Sequence, residues 1–187
     1  MPTCTITSGN IAACLEGNPG GIELFLANYA DLQDQVTIDP LTGVVTALPE
    51  VTLYRYEGTR NSVSATNAPV SNLDNASLYF THTCTIKIAG QNAARHLEIL
   101  GNVARARMVI FARLASQKII MLGYETGMYL DPASTAGSGL AKGDFDGYEL
   151  TFTAEEPNPG RFLAQFTTEP FDNFADVTLD PPYGVVS

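Results

Sequence analysis

Apolar and polar residues alternate with a period of two along much of this chain, the pattern of strands with one face in a core and one outside. The clearest run is SLYFTHTCTIKI (Ser77–Ile88), in which Thr83, Thr85 and Lys87 alternate with Cys84, Ile86 and Ile88. VTLYRYEG (Val51–Gly58) sets Val51, Leu53 and Arg55 against Thr52, Tyr54 and Tyr56, which predicts a strand with one aromatic face. YELTFTAEEP (Tyr148–Pro157) sets Tyr148, Leu150 and Phe152 against Glu149, Thr151 and Thr153. IELFLANY (Ile22–Tyr29) is dense enough in apolar residues to predict a largely buried strand, followed by a turn or short helical piece at ADLQD. ARMVIFARL and KIIMLGY are β-branched and aromatic strands, with Ser116 and Gln117 at the turn between them. VTID and VVTAL flank PLTG, where Pro40 and Gly43 make a tight hairpin connection, and RFLAQF (Arg161–Phe166) is the last predicted strand.

One stretch departs from period two. After the strand-breaking Gly90, apolar residues fall at Ala93, Ala94, Leu97, Leu100 and Ala104, one stripe of a helix. Gly101-Asn102 tolerates the left-handed conformation of a helix end. The prediction is one short helix over about residues 91–101, packed through that stripe across a sheet built from the flanking strands. The expected fold is therefore mainly β, a β-sandwich or rolled barrel of roughly eight to ten strands with this helix on it.

The remaining segments read as connections. Residues 1–20 are rich in Thr, Ser, Gly and Asn and predict an irregular N-terminal arm. Arg60–Ala76 is polar and predicts a loop, with a short extended piece at Val63–Thr66. Asp131–Gly147 holds four glycines in seventeen residues and predicts a long exposed loop. The tail from Thr167 to Ser187 has four acids and no base, and predicts an extended acidic arm docked through Phe171, Phe174 and Tyr183. With 187 residues and no internal repeat, a single domain spanning 1–187 is expected.

Charge adds one feature to this picture. The net charge of −10 is laid out as −6 over residues 1–86, +5 over 87–118, −1 over 119–142 and −8 over 143–187. A basic middle between acidic ends suits contacts between identical subunits, and the acidic total disfavours nucleic-acid recognition. Charged residues make up only 16% of the chain, the mix of a protein that hides surface against neighbours. MPTCTITSGN has no basic stretch followed by an apolar one, so no signal peptide is expected, and no apolar run approaches the ~20 residues of a membrane span.

Candidate chemistry is sparse. Cys4, Cys14 and Cys84 are odd in number and lack CxxC spacing; reduced thiols are the simplest reading, and a Cys4–Cys14 bridge stays open. His82 and Cys84 share a strand face but lack further ligands for a metal, and His96 reads as a surface residue beside Arg95 and Glu98. Asp144, Asp146 and Glu155 fall at positions 1, 3 and 12 of a calcium loop, yet Glu149 occupies the position that needs Gly. The adjacent Glu155 and Glu156 point to opposite strand faces, GSG at Gly137–Gly139 is loop composition, and no GxSxG, GxGxxG or Walker-type loop occurs. No catalytic, cofactor-binding or metal-ligating residue is assigned, and a non-enzymatic protein is expected.

GGIELFLANYADL (Gly20–Leu32), AGQNAARHLEILGNVARARMVIFARL (Ala89–Leu114) and GDFDGYELTFTAEEP (Gly143–Pro157) together resemble virion structural proteins of tailed bacteriophages. The likeness is to tail-tube and tail-ring subunits, including those of crAss-like phages and prophages of Bacteroidetes. That resemblance implies a tail-tube-like sandwich whose copies form a hexameric, stacking ring around a channel. DNA would pass through without sequence-specific binding, beside other tail proteins, in a virion made in the host cytoplasm. It also makes the Asp131–Gly147 loop the expected ring-to-ring contact. The competing expectation is a head-associated or receptor-binding virion protein with a carbohydrate partner, for which the Tyr54/Tyr56 face is the candidate aromatic platform.

Overall fold

The computed structural model describes residues 21–59, 61–72, 77–138 and 144–183. The predicted arm 1–20 with Cys4 and Cys14, positions 139–143 of the Gly-rich loop and the last residues of the acidic tail lie outside the described residues.

Two sheets carry the fold. The first has six strands in the order β12-β8-β7-β1-β4-β13, formed by Arg161–Phe162, Ile119–Leu122, Met108–Leu114, Gly21–Asn28, Val51–Glu57 and Val177–Asp180. The second runs β10-β11-β6-β5, formed by Thr135–Gly137, Gly147–Glu156, Ser77–Ala89 and Ser64–Asn72, with β9 (Tyr129–Leu130) also paired to β11. A small hairpin joins β2 (Thr37–Ile38) to β3 (Val45–Ala47). All pairings are antiparallel except β13 beside β4 and a single bridge between Val45 and Leu163. Neither large sheet closes on itself, so the molecule is a sandwich rather than a rolled barrel.

The six-stranded sheet is buried on both faces, which explains why β1 and β7 are nearly continuous apolar runs. Its inner face (Leu24, Leu26, Ile110, Ala112 and Leu122) packs on Cys84, Ile86, Ile88, Tyr148, Leu150 and Phe152 of the second sheet. Its other face, with Phe25, Leu53, Val109, Phe111 and Met121, is covered by Val45, Leu48, Leu163, Phe166, Phe171 and Phe174. The C-terminal segment is thus a third layer. Asp172 folds it locally: its carboxylate accepts from the Thr167 hydroxyl at 2.6 Å and from the Thr168 N–H at 2.7 Å, bonds that hold its pKa below the usual range. Phe171 sits at φ +68°, a costly conformation for an aromatic residue, held by edge-on packing at 4.9 Å from Phe25 and 5.5 Å from Phe111.

Three expectations need correction. The stretch predicted as loop, 60–76, contributes the nine-residue strand β5, paired along its length with β6. Its composition is polar because one face is open, and Pro69 is tolerated because β5 has a neighbour on one side only. The helix is present but turned. After α1 (Tyr29–Leu32), α2 covers only Ala93–His96, capped by the Asn92 side chain accepting from the Arg95 N–H at 2.8 Å. It continues as a π-helical turn over Leu97–Asn102 and a 3-10 turn over Val103–Arg105, so Gly101-Asn102 does not end it. Ile99 and Val103 face the core, whereas Leu97 is 68% exposed and Leu100 39% exposed. The widened turn and the sheet it abuts set this phase, which a 3.6-residue stripe does not anticipate. RFLAQF, finally, pairs as a strand only at Arg161–Phe162; Phe166 instead packs into the outer core.

Truncating Phe171 to Ala should cost about 3–5 kcal/mol by removing a buried ring between two others. The check is urea unfolding of the full chain, with limited proteolysis reporting release of residues 167–183.

Candidate functional site

The open face of the second sheet carries side chains in regular rows. Along β5, β6 and β11 the register aligns Ser64 with Thr85 and Thr151, and Thr66 with Thr83 and Thr153. The next row outward is Ala68, Thr81 and Glu155. Threonine suits this position because its branched Cβ favours the strand while its hydroxyl meets water. Ser64 and Thr85 share a hydroxyl contact at 3.0 Å. The one cation among these rows, Lys87, is paired with Glu149 opposite it at 2.6 Å. The result is a surface rich in hydroxyls, with the half-exposed Tyr129 of β9 beside Thr153, and no uncompensated positive charge among these residues.

Two buried polar knots hold the sheets in place. Glu23, 1% exposed, lies on the outer face of β1. It accepts from Arg55 and Arg113, each at 2.7 Å, and from the Tyr183 hydroxyl, while the Arg55 guanidinium stacks over the Tyr183 ring at 4.0 Å. Burial alone would raise the Glu23 pKa; the hydrogen bonds from Arg55, Tyr183 and Arg113 outweigh it and hold the carboxyl below 4.5. The knot therefore clamps the C-terminal tail onto β1, β4 and β7. Sequence reading passed over Glu23, although a lone carboxylate inside the apolar run GIELFLAN was the available signal.

The second knot sets His82 and Glu156, both 2% exposed, against the same turn without a hydrogen bond between them. Glu156 accepts from the N–H groups of Glu125 (3.0 Å) and Thr126 (2.8 Å) and from the Thr126 hydroxyl (2.8 Å), fixing the turn between β8 and β9. His82 Nδ1 accepts from the Gly123 N–H at 3.3 Å, so the ring is neutral there, and burial pushes its pKa below 6.5 despite the nearby Glu156 and Glu125. Gly123, at φ +74°, has no room for a side chain: a Cβ would stand 2.3 Å from Met128. Arg107 braces the same turn, donating to the Thr126 carbonyl at 2.5 Å and stacking over Tyr29 at 3.6 Å.

The structure separates most of the residues weighed for chemistry. Cys84 points with His82 to the inner side of β6 but lies in the core, its thiol pushed up to about 12 by burial. His96 Nδ1 lies 3.4 Å from the Tyr148 hydroxyl, at the edge of the sandwich. Asp146 is tied to Gln91 at 2.9 Å at the start of β11, whereas Glu155 is exposed near its far end, ~30 Å away by strand rise. Glu155 and Glu156 take opposite faces, exposed and buried. Among the described residues, no group of three or more His, Cys, Asp or Glu is arranged to hold a metal ion, and no helix is long and apolar enough to cross a membrane.

Comparison with models of known protein families, with curated proteins and with solved structures returns no match.

Both knots make stability pH-dependent with the same sign. Each has a folded pKa below its unfolded value, so each contributes fully above that value and is lost as pH falls through the folded one. The unfolding midpoint should therefore drop in two steps, one beginning below pH 6.5 and one below pH 4.5. Denaturation across a pH series should find the first step missing in His82→Leu. Glu23→Gln should lose about 1.5–3 kcal/mol at neutral pH, because the partly buried Arg55 and Arg113 lose a buried charge while keeping their contacts to Glu57 and Gln117.

Proposed function

We propose that this protein is a structural, non-catalytic subunit that assembles with copies of itself into a ring around a DNA-conducting channel, as a tail tube or tail ring of a tailed bacteriophage does. The observation that carries this reading is the open hydroxyl face of the β5-β6-β11 layer. A channel wall for DNA must be wettable, smooth and free of fixed cations that would replace the counterions of the phosphate backbone. Serine and threonine rows with a neutralised Lys87–Glu149 pair meet that requirement. The six-stranded sheet, filled on both sides, acts as a stiff back. The edges of the second sheet, β5 on one side and β9 with β10 on the other, are where neighbours continuing the wall would sit. Asp131–Gly147, which carries β10, remains the proposed contact between stacked rings.

Mass photometry and electron microscopy of the purified full chain test this directly. Rings, or stacks of rings, are expected; a species that stays monomeric at micromolar concentration and never forms rings overturns the proposal. Placing cations on the hydroxyl face supplies a second check. The double variant Thr83→Lys/Thr151→Lys should still form rings but retain duplex DNA in a salt-dependent manner that the parent protein lacks.

A further inference from the structure

Strands β4 and β13 extend past the cover of the second sheet. On the face where Leu24 and Leu26 of β1 are buried, Thr52, Tyr54, Thr178 and Asp180 of β4 and β13 are exposed. The π-helical turn borders this overhang and leaves a cleft of about 140 Å³. Its lining includes Tyr54, the half-buried Tyr56, which also packs on the inner core, Leu26, and the polar Asn28, Glu98 and Asn102. Glu98 and Asn102 are spaced so that the turn presents both to the cleft, and the Asn102 amide donates to the Glu98 carboxylate at 2.7 Å, which fixes their orientation. Burial, and then the charge of Glu98, push the Tyr56 phenol up to about 12, so it stays a neutral hydroxyl.

The chemistry of the lining selects the ligand. Among the described residues, no Lys, Arg or His lines the cleft, and Glu98 repels anions, so phosphates, sulfates and nucleotides are unsuited. A wholly apolar molecule would strip water from Asn28, Glu98 and Asn102 without replacing their hydrogen bonds. A cation cage needs rings that face one another, but residues two apart on one strand project side by side, ~6.8 Å apart, and make a flat strip. A pyranose ring has the matching character: C–H groups on one face to stack on an aromatic strip, and hydroxyls at its edge for amides and a carboxylate. We infer that this cleft binds a neutral saccharide, stacked on Tyr54 and Tyr56 and held through its hydroxyls by Glu98, Asn102 and Asn28. The inference does not depend on ring assembly.

A panel of immobilised neutral and acidic oligosaccharides, probed with the purified full chain, tests it, followed by titration calorimetry on the best neutral binder. Binding should be confined to neutral glycans. Tyr54→Ala should weaken it by about tenfold or more while lowering the thermal unfolding midpoint by only a few degrees, the chain staying folded. Glu98→Gln should weaken it several-fold without altering the far-ultraviolet circular dichroism. Absence of any neutral glycan binder, binding only of acidic glycans, or undiminished binding by Tyr54→Ala overturns the inference. Saturable binding of choline in place of sugars also overturns it, because a cage would then have formed after all.

Discussion

A central sheet with apolar side chains on both sides has to be covered twice, and the rest of this molecule follows from that requirement. Phe25 and Phe111, neighbours in the β1–β7 ladder, point away from the second sheet and would meet water if the chain stopped at β12. Phe171 and Phe174 close over them, supported by Leu48, Leu163 and Phe166. Full burial of each such ring contributes about 1.5–3 kcal/mol, enough to hold Phe171 in a left-handed conformation that costs about 1–3 kcal/mol. The third layer is thus integral to the fold although its sequence is rich in turn residues.

Burial of that kind is permissive about alignment, and the polar knots supply the specificity. Glu23 accepts only where Arg55, Arg113 and Tyr183 converge, which places β1, β4, β7 and the C-terminal segment in one register. Glu156 and His82 do the same for the second sheet and the β8–β9 turn. Neither knot forms a cleft in which carboxylate, imidazole and thiol converge: Cys84 is sealed in the core, and both oxygens of Glu156 are occupied by the turn it holds. Their geometry fits groups that fasten layers together.

Among the described residues, two surfaces remain uncovered by this scheme, and they differ in character. The hydroxyl rows follow a regular register, and their Lys87 is paired with Glu149. The overhang beside the π-helical turn is concave, aromatic and acidic, a surface suited to holding a small neutral ring. Both exist because the two sheets are unequal in extent: among the described residues no layer covers the outer face of the smaller one, and the larger one projects past its partner.

Much of the strand inventory was legible in the residues themselves. Period two in Val51–Gly58, Ser77–Ile88 and Tyr148–Pro157 fixes which side chains turn inward, because strand geometry is local; the observed faces of Leu53, Cys84, Ile86 and Phe152 agree with it. What the residues alone could not decide were features that depend on distant partners. Ser64–Asn72 becomes a strand only because β6 offers it a full row of backbone groups. The helical segment turns Ile99 inward rather than Leu97 because of the layer it abuts and the wider turn it adopts there. Glu23 meets Tyr183 across 160 residues of chain, and the cleft at Tyr56 arises where β4 outruns the second sheet. Local alternation is written into neighbouring residues, whereas coverage, charge pairing and overhang are set by which layers meet, and only the assembled tertiary structure determines that.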